Sequence, residues 1–217
     1  MSIRKVSFVP DEYYHIYNRG NSKQKIFSDK SDYDRFIGLM YVCNQKENFK
    51  VDNLKKGEDF LDLEKNIELV NIGAYCLMPN HFHILITQKE DGGISKFLQK
   101  LTTAYVMYFN KKYNRTGGLF EGKFKSEHID SDQHLKYLFS YIHLNPIKLI
   151  QKDWKETGIK NKNRAIEYLN QYIYSSYLDY LETERKTNKI LNKQAFPKYF
   201  PNTKSFLAEI FEWLNFR

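Results

Sequence analysis

The stretch IELVNIGAYCLMPNHFHILIT, residues 67–87, decides the fold. It contains two runs rich in apolar and β-branched residues, Ile67 to Leu77 and His81 to Thr87, separated by Met78-Pro79-Asn80. Such runs on either side of a proline-containing break predict two strands joined by a turn. Side chains alternate along a strand, so His81 and His83 leave one face of the second strand while Phe82, Ile84 and Ile86 leave the other. The apolar row needs covering by helices. That places the two histidines on the open face of the sheet.

Working outward from this hairpin, EYYHIYNR (residues 12–19) alternates in the same way and predicts a strand closed by Gly20. Asp29 to Asn44 predicts a helix, with Ser28 or Asp29 as its cap and Phe36, Met40 and Val42–Cys43 as its apolar stripe. Residues 45–65 are charged and weakly patterned, which predicts a loop or an excursion. Past Gly92-Gly93, Ser95 to Tyr113 carries Phe97, Leu98, Leu101, Ala104, Tyr105, Tyr108 and Phe109 at the three-four spacing of one helical face. A fourth strand is predicted over Leu119–Ile129 after Gly117-Gly118, then a helix over Ser131–Leu144 stopped by Pro146.

The order strand–helix–strand–strand–helix–strand predicts an α+β fold of the ferredoxin-like βαββαβ kind: an antiparallel sheet with helices on one face, followed by one more helix. Beyond it, Ile166–Leu181 and Ser205–Phe216 predict added helices around a polar linker at Glu182–Lys193. The chain thus divides into a domain over 1–150 and a C-terminal helical extension over 151–217.

Composition narrows the function classes. Of the 217 residues 41% are hydrophobic, enough for a folded core. No apolar run is long enough to span a membrane. Met1–Pro10 lacks the apolar stretch of a secretory signal, so a cytoplasmic location is expected. Cys43 and Cys76 are the only cysteines, which excludes a disulfide scaffold and a paired-cysteine zinc site. A net charge of +8 favours a polyanionic partner, and 17 Tyr and 16 Phe among many lysines suit a surface on which unstacked bases can lie.

Two neutral imidazoles converging from one strand form half of a divalent-metal site. The helix before Pro146 can supply the rest. Leu135, Leu138, Phe139 and Ile142 make its buried stripe, and Tyr137, Tyr141 and Asn145 form a separate row at steps of four. Tyr141 offers a phenol oxygen and Asn145 an amide oxygen, although Pro146 disfavours helical geometry at Asn145 and works against that last member. Basic residues flank these elements. Arg19, Lys23 and Lys25 follow the first strand, Lys111, Lys112 and Arg115 end the long helix, and Lys123 and Lys125 lie on the fourth strand. Interleaved with Tyr113, Phe120 and Phe124, they can hold phosphates while rings stack on bases. His15, His128, His134 and His143 show no partner pattern.

Together these segments resemble the REP-associated tyrosine transposases, within the IS200-like, single-tyrosine HUH transposases. YYHIYNRGNSKQKIF resembles the family's first strand and Arg-Gly-Asn loop. AYCLMPNHFHILI resembles the hairpin with the His-hydrophobic-His motif, and GGLFEGKFKSEHIDSDQHLKYLFSYIHLNP the segment ending in the nucleophile helix. The likeness covers roughly residues 10–150, with YSSYLDYL at 174–181 similar to a further family element. MPNHFH together with YIHLNP is far more specific than either alone.

The resemblance implies that the 1–150 domain is an HUH catalytic domain in which His81, His83 and Asn145 bind Mg²⁺ or Mn²⁺. Tyr141 would attack the scissile phosphate and form a 5′-phosphotyrosine. Related insertion-sequence enzymes carry glutamine where this chain has the shorter Asn145. Single-stranded or hairpin DNA is the implied partner, a nucleoid-associated location is implied with it, and a homodimer stays open. Two other readings stand beside this one. A domesticated, non-catalytic, sequence-specific DNA-binding protein of the same fold would need no covalent step, and an unrelated metal hydrolase would not need Tyr141.

Overall fold

The computed structural model describes residues 7–49 and 57–212. The chain runs through β1 (Tyr13–Arg19), α1 (Lys30–Cys43), β2 (Val70–Met78), β3 (His81–Gln88), α2 (Gly93–Lys112), β4 (Lys125–Ile129) and α3 (Asp132–Leu144). Short helices follow: α4 (Trp154–Thr157), α5 (Lys162–Gln171), α6 (Tyr177–Tyr180) and α7 (Thr203–Glu209). The four strands form one antiparallel sheet in the order β2-β3-β1-β4, the ferredoxin-like arrangement expected of this element order.

Met78 already pairs with His81, so Pro79 and Asn80 alone make the β2–β3 turn. The loop after β1 clasps it: Gly20 N–H donates to the Asn80 carbonyl at 2.8 Å and Ile26 N–H to the Pro79 carbonyl at 2.9 Å. Only glycine fits at position 20, because a Cβ there would lie 2.2 Å from the Gln24 carbonyl oxygen.

A bulge at Gly73 decides which residues of β2 face where. Register shifts between Ile72 and Ala74, so Val70 and Ile72 share a face with Tyr75 and Leu77 rather than with Ala74 and Cys76. The first face packs on α1 and α2, together with Tyr14, Ile16, Phe82, Ile84 and Ile86. Ala74, Cys76 and Met78 on the second face meet Leu85, Ile129 and the stripe Leu135, Leu138, Phe139 and Ile142 of α3. Each of those four stripe residues is no more than 2% exposed, worth about 1.5–3 kcal/mol apiece in apolar burial.

The histidine face is therefore not open. α1 and α2 lie on one face as expected, but α3 and the C-terminal segment cover the other, and His83 is buried. In sequence order α3 comes as an addition after the sheet, whereas its apolar stripe buries against Ala74, Cys76, Met78 and Leu85 of the sheet's second face.

Other boundaries differ for local reasons. β4 begins at Lys125 rather than Leu119, because Gly122 adopts a left-handed φ of +90° that breaks the extended run. α2 starts two residues early, at Gly93. The helix expected over Ile166–Leu181 is interrupted where Tyr174 to Ser176 run beside β2, with Leu77 N–H donating to the Tyr174 carbonyl and Ser176 N–H to the Tyr75 carbonyl. Of the 45–65 segment, Phe60 and Leu61 form a buried turn, while 50–56 lie outside the described residues. α7 ends at Glu209, and residues 213–216 of the helix expected over Ser205–Phe216 lie outside them too. No helix among the described residues is long and apolar enough to cross a membrane.

Candidate active site

α3 is held in place at both ends. Ser131 caps it, its hydroxyl accepting from His134 N–H at 3.2 Å. Near the other end, buried His143 donates from Nδ1 to the Phe139 carbonyl at 2.9 Å and accepts at Nε2 from the Ser176 hydroxyl at 2.8 Å. Ser176 Oγ in turn accepts from Tyr75 N–H at 2.9 Å, which ties α3 to β2 through the C-terminal segment.

This docking lays the Tyr137–Tyr141–Asn145 row over the histidine strand. The Tyr141 ring stands edge-on to His83, with centroids 5.2 Å apart and planes at 76°. His81 and His83 stand at right angles to each other with centroids 5.0 Å apart. Asn145 keeps helical φ and ψ of −54° and −37° despite preceding proline, because the chain continues as a 3-10 turn over Asn145–Leu149 with Pro146 at its start. The row does not break.

The site holds polar atoms that the protein itself leaves unpaired. His81 Nδ1–H donates to Asn80 Oδ1 at 2.6 Å, and the Asn80 amide is oriented by Nδ2 donating to the Lys23 carbonyl at 3.3 Å. That leaves His81 Nε2 as a lone pair. His83 Nε2 and Asn145 Oδ1 are both buried without a hydrogen-bond partner. Buried polar atoms without a partner are costly, and two at one site suit a cation. Among the described residues no three His, Cys, Asp or Glu side chains cluster as ligands, so two imidazoles and a neutral amide are the donor set. These residues fit a divalent ion.

Electrostatics favour the same state. Burial lowers His81 to about 4, with Lys148 adding to the effect, and holds His83 well below its ordinary value. Both imidazoles are therefore neutral at pH 7. Burial also pushes the Tyr141 phenol up to about 12, opposed by its hydrogen bond with Asn145. Trp154 stacks on the Tyr141 ring at 6.3 Å, and Lys155 Nζ lies 4.1 Å from its centroid.

His81, His83 and Tyr141 line a cleft of about 630 Å³ whose rim carries Arg19, Lys23, Lys125, Lys148 and Lys152. Of the basic residues named from sequence, Arg19, Lys23 and Lys125 line this cleft; Lys111, Lys112, Arg115 and Lys123 do not. Arg19 is also paired with Glu121 through Nη2–Oε1 at 3.0 Å. Lys112 is engaged by Asp29 and buried Asp32, both at 2.7 Å. Arg115 lies over the Phe109 ring at 5.5 Å. A larger cleft of about 840 Å³ borders α1, but its cations are spoken for: Lys30 by Asp34, Lys186 by Asp62, and Arg35 by the rings of Phe60 and Tyr108.

Sequence reasoning missed Asn80, His15, Lys148, Lys152 and Lys155. The three lysines follow Asn145 at intervals of three, four and three, a near-helical spacing that carries the row on past Pro146 and is the one sequence signal for them.

No curated protein matches the chain. Among solved structures it is similar to one described as "Structure of the REP associates tyrosine transposase bound to a REP hairpin", at 12% identity and a TM-score of 0.49, over 84% of this chain and 86% of that one. The family model described as "Transposase IS200 like" matches residues 8–145. That span takes in more than half of the chain, from just before β1 to Asn145, and with it the paired histidines and the tyrosine helix. This protein belongs to the IS200-like transposase family.

Proposed function

We propose that the chain nicks and rejoins single-stranded or hairpin DNA through a covalent bond to Tyr141. The observation that carries this reading is the meeting of Tyr141 with two buried polar atoms that lack a partner, His83 Nε2 and Asn145 Oδ1, beside a cleft rimmed by cations.

His81 Nε2, His83 Nε2 and Asn145 Oδ1 would hold Mg²⁺ or Mn²⁺, which when bound supplies positive charge to a non-bridging phosphate oxygen. Lys148, Lys152, Lys125 and Lys23 hold neighbouring phosphates along the rim. Tyr141 Oη bonds to phosphorus as the P–O3′ bond breaks. The phenol proton passes to water and the departing 3′ oxygen takes one up. Lys155 above the ring favours the electron-rich form that attacks. In rejoining, a 3′-hydroxyl bonds to phosphorus, the P–Oη bond breaks and Tyr141 regains a proton. One phosphoester is exchanged for another at each step, so no nucleotide cofactor is consumed. The nucleophile needs an approachable backbone, which is the reason for single-stranded or hairpin substrates. Association with the nucleoid follows from such a partner.

Incubating the protein and Mn²⁺ with labelled single strands and hairpins from its own flanking DNA tests this. A denaturation-resistant protein–DNA adduct, mapped to Tyr141 by mass spectrometry, is the expected product. Binding without an adduct on every such substrate would overturn it in favour of a DNA-binding protein that has lost the covalent step.

A further inference from the structure

Metal capture by His83 requires its lone pair on Nε2, and an imidazole has only one proton to place on two nitrogens. On the neighbouring strand β1, His15 presents Nε2 at 2.8 Å from His83 Nδ1. Both side chains are buried, and their rings lie within 25° of parallel. His15 pairs across the sheet with Leu85 on one side and Glu127 on the other, so His83, His15 and Glu127 share a face on three adjacent strands.

One of the two facing nitrogens carries a proton and the other a lone pair. Geometry alone does not say which, but Glu127 does. Its Oε2 lies 3.6 Å from His15 Nδ1, while Oε1 lies 3.8 Å from His134. A carboxylate offers only lone pairs, so a lone pair on His15 Nδ1 would face it with repulsion, and the proton belongs there. His15 Nε2 is then an acceptor and takes its hydrogen bond from His83 Nδ1–H. The lone pair of His83 falls on Nε2, the buried atom that finds no partner in the protein. The opposite placement would bury an N–H donor with nothing to receive it and would close the nitrogen to metal.

We propose that His15 and Glu127 are positioning residues that fix His83 in its Nδ1–H tautomer, so that Nε2 stands ready for a divalent cation. The proposal rests on the reading of His83 as a ligand. A partner on the far nitrogen of a ligating histidine commonly changes metal affinity by about 10–100-fold. Here the partner is a second histidine, itself set by a carboxylate on β4.

The test uses full-length, metal-free protein labelled with ¹⁵N in histidine, whose two-bond ¹H–¹⁵N spectra report each ring's tautomer. Wild type should show His83 as Nδ1–H. His15→Phe keeps a ring in the buried slot but removes the acceptor. It should shift His83 toward Nε2–H and weaken Mn²⁺ binding, read by electron paramagnetic resonance of the free ion, by about 10–100-fold. His15→Gln, which retains an acceptor oxygen, should recover affinity to within a few-fold. Glu127→Leu alters an exposed position and carries the same test should His15→Phe fail to fold. Nε2–H in wild type overturns the relay, as does an unchanged tautomer and Mn²⁺ affinity in the variants. No Mn²⁺ binding by wild type overturns the metal reading, and the spectra recorded without metal tell that failure apart from failure of the relay.

Discussion

The rings of Tyr137 and Tyr141 lie parallel, within 5° and 6.1 Å apart, one turn from each other on α3, yet only Tyr141 leans edge-on against His83. The two phenols share helix, flank and chemistry and differ in what they face. Tyr141→Phe deletes one oxygen and keeps the ring, so folding and DNA binding should persist while the covalent adduct disappears. Tyr137→Phe should retain it. Denaturing gels of both variants with a labelled strand decide the matter, and the reverse pattern would move the nucleophile one turn back.

His81 and His83 should respond differently to removal. His81 is partly exposed and held by Asn80, so His81→Ala should fold normally, lose Mn²⁺ and lose cleavage while still binding DNA. His83→Ala strips a buried ring from its bond with His15 and should cost about 1–3 kcal/mol of stability as well. EDTA should reproduce the cleavage defect in wild type. Undiminished cleavage by His81→Ala in the presence of EDTA would end the metal hypothesis.

DNA affinity should depend on salt through the lysines at the cleft. Replacing Lys125, Lys148 and Lys152 by Gln should flatten the plot of log affinity against log salt by about 2 for a single strand, since each neutralised phosphate contributes about 0.7. Lys111, Lys112 and Arg115, the cluster to which sequence alone points, should contribute less, because Lys112 is spent on Asp29 and Asp32. Equal changes in slope for the two triple variants, measured by fluorescence anisotropy, would refute that ordering.

Acid should unfold the metal-free protein through its buried imidazoles. Burial lowers His81 to about 4 and His143 to about 3 in the folded chain, against an unfolded value near 6.5. Both are neutral when folded and protonated when unfolded, so unfolding takes up protons below pH 6.5. Their stabilisation is complete above that value and is lost as pH falls through the folded values. Calorimetric melting temperatures should decline from pH 6.5 toward pH 4, and less steeply in His81→Ala. Parallel declines would show that His81 is not buried in its neutral form.

Much of this was legible because it is local. Alternation around MPNHFH put both histidines on one face, and steps of four put Tyr137, Tyr141 and Asn145 in one row. What sequence misjudged depends on contacts between distant segments. The partnership of His15 with His83 arises from β1–β3 register, and no local spacing announces it. The Gly73 bulge, which reconciles an apolar run with two different cores, reads in sequence only as an isolated glycine. Burial of the histidine face follows from α3 folding back, which periodicity within α3 requires but does not direct.

That folding back has a consequence for inheritance. Tyr141, Asn145, His81 and His83 all come from one chain, with the tyrosine helix anchored to its own sheet by His143 and Ser176. Two defective copies would then have nothing to exchange. A His83→Ala protein mixed with a Tyr141→Phe protein should remain as inactive as either alone, and wild-type activity per molecule should survive dilution. In a cell carrying both alleles, neither would complement the other.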